Sequence, residues 1–142
     1  MGLGPIEIVT LVFPGSHFNG DVLPELTKLV ASGVVRIADG VFARRNDDGS
    51  LESFEIDNEA DSAIGELGTL ISDANGLLSD DDVQSITNGL EPGSSAVILV
   101  FEHTWVVPLR DAIAGSGGYL LESVRVPGPV VDEVLAAIRA TA

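Results

Sequence analysis

The chain contains no cysteine. Disulfide frameworks, thiolate zinc sites and cysteine nucleophiles are therefore excluded. Positive charge is scarce: 7 Lys and Arg stand against 22 Asp and Glu, a formal net charge of −15. Such a field repels nucleic acid and anionic membrane surfaces and suits a basic protein partner instead. Aromatic residues make up only 5% of the chain, too few to line a sugar-binding cleft. No apolar run approaches the roughly 20 residues that a membrane-spanning helix needs. The opening MGLGPIE has neither the basic nor the apolar region of a secretory leader. Ile6 also stands where an N-myristoylation motif wants Ser or Thr. These features together lead us to expect a cytoplasmic protein without a transmembrane segment.

What is present describes a packed protein. Of the 142 residues, 45% are hydrophobic, and the mean hydropathy is +0.34. This length fits one domain, residues 1–142, able to bury roughly 70% of its unfolded surface. The acids are concentrated: 13 of the 22 lie between Asp47 and Glu91, with no Lys or Arg among them.

The hydrophobic pattern predicts an α+β protein. PIEIVTLVF (Pro5–Phe13) reads as a first strand with Ile6, Ile8 and Val12 on one face and Val9, Leu11 and Phe13 on the other. Both faces are apolar, so cover is expected on both sides. A helix is predicted from about Asp21 to Ser32, buried through Leu23, Leu26, Leu29 and Val30 and stopped at Gly33. VVRIADGVFARR and LESFEID form a hairpin around NDDGS. Ala60, Ile64, Leu67 and Ile71 then fit a helical period, interrupted by Gly65 and Gly68. Ser79 is placed to cap a short acidic helix carrying Val83, Ile86 and Leu90. AVILVF is a fourth strand. A helix after Thr104 should turn Leu109, Ala112 and Ile113 inward. YLLESVRV (119–126) reads as a fifth strand, and Val131, Val134, Leu135 and Ile138 form the face of a last helix.

Two strand–helix–strand halves suggest the ferredoxin-like, split βαβ plan. It would hold an antiparallel sheet of about five strands, an acidic helical insertion at 58–92 and a C-terminal helix. In that plan the first and fourth strands lie side by side and antiparallel.

The stretch GLLSDDDVQSITNGLEPGSSAVILVFE, followed by GGYLLESVRVP, resembles a bacterial family known only as a domain of unknown function, with the PGSSA turn as its most specific mark. The resemblance implies relatives that carry a Gly-rich hydrophobic hairpin with a membrane-inserting look. Here SAIGELGTLISDANGLLSDDD holds that place, with acids interrupting the apolar surface, as in a soluble relative. The resemblance brings no catalytic residues with it.

Each candidate site has a simpler reading. EPGSSA runs helix–turn–strand, the wrong order for a phosphate loop or a nucleophile elbow, so Ser94 and Ser95 are expected to bond locally. His17 and His103 each follow one of two antiparallel strands, which puts them at opposite ends of the sheet. An EF-hand frame centred on Gly49 places Glu55 correctly but puts Arg44 in the first ligand position, and one centred on Gly76 puts Ile71 there. Asp80, Asp81 and Asp82 suit a helix start as well as a weak cation site. Asp39 falls on an apolar face with Val35, Ile37 and Val41, which predicts a bulge at Gly40 or a pair with Arg36, Arg44 or Arg45. Glu7 and Glu102 are acids on central strands, and Trp105 is a candidate anchor.

No catalytic residue, cofactor-binding residue, cofactor or metal ligand is therefore assigned. The reading favours a non-enzymatic protein acting through self-association, as a homo-oligomer, or through partner docking. The alternatives are a small-ligand-binding module of dimeric ferredoxin-like type and a cation-responsive regulator using the acidic middle.

Overall fold

The computed structural model describes residues 4–16, 21–56, 68–71 and 77–141. It divides into two compact units, Met1–Leu109 and Arg110–Ala142. The first contains an antiparallel sheet made of β1 (Ile6–Phe13), β2 (Arg36–Arg45), β3 (Leu51–Glu55) and β4 (Ser95–Glu102), in the order β1-β4-β2-β3. Helix α1 (Val22–Ala31) joins β1 to β2, and the short α2 (Asp80–Ile86) precedes β4. Helices α3 (Val106–Gly115) and α4 (Gly128–Thr141) follow. β4 lies between β1 and β2 and is antiparallel to both, so β1 and β2 run parallel to each other.

The side-by-side, antiparallel placement of the first and fourth strands is as the sequence predicts. Four strands form among the described residues, not five. Tyr119–Val126 has no strand conformation, because a β-prone segment becomes a strand only with a neighbour to complete its ladder.

The sheet has an apolar core on each face. On one, Ile37, Phe42, Val97 and Leu99 pack with Leu26 of α1, joined by Val22, Leu23 and Val30. Leu29 is exposed instead, since the stripe that meets the sheet runs through 22, 23, 26 and 30. Phe42 also contacts Phe54 of β3, ring centroids 5.1 Å apart. On the other face, Ala38, Val41, Ile98 and Val100 pack with Leu78 and Val83, beside Ile86. Ser79 builds the predicted cap of α2. Its Oγ accepts from Asp82 N–H at 3.1 Å, and Asp82 Oδ2 accepts from Ser79 N–H at 3.0 Å.

Three expectations change. Ile71 forms a parallel bridge with Ile37, so it extends the sheet locally rather than continuing a helix; Ala60, Ile64, Gly65 and Leu67 lie outside the described residues. Leu109 and Ala112 of α3 are exposed, and Ile113 is half-buried. β1 is covered on one face only: Ile6, Ile8 and Val12 are about half exposed, because α2 reaches over β2 and β4 but leaves β1 open.

Candidate functional site

The open face of β1 is the center of the candidate site. Ile6, Ile8, Thr10 and Val12 lie opposite Glu102, Val100, Ile98 and Ala96 of β4. The period-2 alternation of a strand puts all of them on the α2 side of the sheet. A groove of about 370 Å³ opens there between β1 and the end of α2, with Thr10, Val12 and Ala96 on one side and Ile86, Thr87 and Leu90 on the other.

One end of the groove is built by two Pro-Gly-Ser turns. Pro14–Ser16 follows β1, and Pro92–Ser94 precedes β4. Gly15 and Gly93 have φ of 68° and 81°, which glycine adopts without strain. Ser16 also has positive φ, 58°, a conformation that a side chain disfavours. Its hydroxyl compensates by tying the turns together. Ser16 Oγ donates to the Gly93 carbonyl at 2.8 Å and lies 2.6 Å from Ser95 Oγ. A hydroxyl has one proton, so Ser95 is the donor in the second contact. The serines of EPGSSA therefore do not bond locally as the sequence predicts; Ser94 and Ser95 bond to a partner turn 79 residues away. Ser94 Oγ accepts from Gly15 N–H at 3.4 Å, so these bonds join backbone groups and hydroxyls of the two turns and brace them against each other.

The other end of the row is charged. Glu102, only 5% exposed, accepts from Gly4 N–H at 2.8 Å and from Arg36 Nε at 2.7 Å. The Gly4 bond holds its carboxyl below the ordinary 4.5; burial opposes this, and Arg36 adds to it. Glu7 faces the opposite side of the sheet, paired across from Phe101, and its Oε1 meets His103 Nε2 at 2.9 Å. A glycosidase needs both carboxyls on one substrate, and these two do not share a face. His17 lies outside the described residues.

Asp39 is fully buried, 0% exposed. The β2–β4 register shifts between Ile37 and Asp39. A bulge beside Asp39 is thus present, but at Ala38 and not at Gly40, and it explains the misfit of simple alternation. Ile37 faces the α1 side, while Asp39 and Val41 face α2. No arginine from the predicted set is its hydrogen-bond partner. Asp39 Oδ1 accepts from Gly40 N–H at 2.8 Å and Oδ2 from Leu78 N–H at 3.2 Å. Arg36 serves Glu102, and Arg45 donates to the carbonyls of Gly49, Thr87 and Leu90. The buried carboxylate thus ties the acidic segment to the sheet. A Cβ at Gly40 would lie 2.8 Å from Ile71 Cδ1, so that the end of the Ile71 side chain would have to shift.

The remaining candidates have local roles. Asp48 Oδ1 accepts from Ser50 N–H and Oγ, which lowers its carboxyl. Asp82 serves the α2 cap, and the Ser79 bonds lower it too. Among the described residues no group of three His, Asp or Glu side chains is placed to hold a metal. Trp105 is half-exposed; its backbone N–H donates to the Val34 carbonyl at 3.3 Å. The sequence reading missed the open β1 face and the Ser16 link. The only sequence sign of the link is the repeated Pro-Gly-Ser.

No helix among the described residues is long and apolar enough to cross a membrane. No curated protein and no solved structure matches the chain. A family model does, over residues 2–142. The chain belongs to that family, DUF6325, a family of unknown function.

Proposed function

We propose that this protein is non-enzymatic and acts by self-association through the open side of its sheet. The observation that carries this reading is the exposed row Ile6, Ile8 and Val12 on β1. Three β-branched apolar side chains in line, continuous with a groove, form a contiguous apolar patch of the kind that marks an interaction surface.

A ferredoxin-like completion of the sheet accompanies this reading. The β1–α1–β2 unit with β4 lodged between its strands is half of that plan, and Tyr119–Val126 would supply a fifth strand on the free edge of β1. Protection of the 119–126 amides from hydrogen exchange tests it; fast exchange throughout would sink it.

Sedimentation across micromolar concentrations tests self-association. The expected result is a reversible oligomer that tightens with added salt, because each copy carries −15 and salt screens their repulsion. Docking to a basic partner would weaken with salt. A strict monomer overturns the proposal.

A second reading, a small-ligand module, is favoured by the groove itself, which Thr10, Thr87 and Ser94 line beside apolar Val12, Ile86 and Leu90. A ligand whose stabilising effect on melting disappears in Val12→Trp would support it.

A further inference from the structure

Strand β2 turns a row of side chains toward α2. Asp39, Val41, Ala43 and Arg45 alternate along it, which puts them on one face. Val41 and Ala43 belong to the apolar core beneath α2. The charged residues at the two ends of the row reach backbone groups on either side of that helix. Asp39 Oδ2 accepts from Leu78 N–H at 3.2 Å, ahead of α2. Arg45 donates from Nη2 to the Thr87 carbonyl at 3.1 Å and from Nε to the Leu90 carbonyl at 3.4 Å, beyond it. Each sign suits the end it holds, a carboxylate at the leading N–H groups and a guanidinium at the trailing carbonyls.

The two holds are unequal. Asp39 is 0% exposed, and both of its bonds are buried. Arg45 is half-buried, and its three bonds are part-buried or exposed. Water can replace a partly exposed guanidinium at a carbonyl, but a buried N–H that loses its carboxylate is left unsatisfied. The apolar contacts lean the same way. Leu78 and Val83 are buried, whereas Ile86 and Leu90 are only half-buried. A helix of seven residues does not persist without such support. The weaker hold also bears on the groove, because Thr87 and Leu90, whose carbonyls Arg45 binds, both line it, as does Ile86.

We propose that α2 is a hinged wall of the groove, with Asp39 as its hinge and Arg45 as its clasp. Release of Arg45 lets Ile86 to Leu90 swing away from β1 while Leu78 stays docked. Arg45 is thus a positioning residue that sets the width of the groove, whatever occupies it.

Amide hydrogen exchange followed residue by residue tests the hinge. Leu78 N–H reports the Asp39 end, and Thr87 and Leu90 N–H, bonded to the Val83 and Thr87 carbonyls, report the Arg45 end. Ile98 in the central strand reports global opening. Corrected for intrinsic rates, Thr87 and Leu90 should exchange about tenfold faster than Leu78 in the parent, with little dependence on urea, as local openings do. Arg45→Gln should speed Thr87 and Leu90 by about a further tenfold and leave Leu78 and Ile98 unchanged, a split that a general loss of stability does not give. Arg45→Lys, which keeps the charge and a donor, should restore part of the protection. Equal exchange at Leu78, Thr87 and Leu90 in the parent overturns the hinge, and that result needs no variant to fold. Acceleration of Leu78 and Ile98 along with the other two in Arg45→Gln overturns the clasp.

Discussion

β4 and β1 lie side by side, run antiparallel and have nearly the same composition, yet their burial is opposite. Ile98 of β4 is 0% exposed, and Ile8 of β1, on the same face of the sheet, is 51% exposed. Hydrophobicity does not distinguish them; position does. β4 has strands on both sides and a helix over each face, whereas among the described residues of the first unit β1 has one neighbouring strand and no helix above its α2-side face. An apolar strand at the edge is thus either a defect or an interface, and its content argues for the latter.

The comparison is tested most strongly by making one substitution in both strands. Ile98→Ala should destabilise the protein by about 2–5 kcal/mol, as deletion of a fully packed side chain does. Ile8→Ala should cost under about 1 kcal/mol of protomer stability while weakening association. Urea unfolding below the association range reads the first effect, and sedimentation the second. Similar losses of protomer stability from both would show that β1 is covered within the single chain.

A smaller effect is expected at the bulge. Asp39→Ala leaves the Gly40 and Leu78 N–H groups without their acceptor and should cost about 1–3 kcal/mol. Because Leu78 leads into α2, proteolysis of the acidic segment should quicken before the sheet is attacked. Unchanged proteolysis would mean that Asp39 does not hold that segment.

The smallest effect depends on pH. Glu102 is held below its ordinary 4.5, so the stability it contributes is present above that pH and is lost as pH falls through the lower folded value. Glu102→Gln should therefore be less stable than the parent at neutral pH and show a flatter acid limb in urea midpoints. Parallel acid limbs would remove Glu102 from the charge network at this end of β1.

Much of this molecule was legible in its sequence. Alternation marked β1, the hairpin and β4, and Ser79 with three following aspartates marked α2, because caps and strand faces are local properties. Although the bulge falls at Ala38 and not at Gly40, Asp39 was recognisable as an acid on an apolar face that calls for a bulge nearby. Its partner was not legible. The choice fell on a backbone N–H 39 residues away rather than a nearby arginine. The Ser16–Ser95 contact escaped notice for the same reason, since nothing local relates two turns 79 residues apart. Leu29, Leu109 and Ala112 were misplaced because periodicity identifies a helix face without saying how far its cover extends.

By itself the sequence determined the elements, the caps, the acidic surface and the exclusion of thiol chemistry, since each follows from residue type and short-range spacing. Only the tertiary structure decided which apolar faces are covered, because that depends on the reach of a seven-residue helix across the sheet. It covers β4 and stops short of β1. The resulting bare row, with nothing unusual in its composition, gives this protein its best candidate for a function.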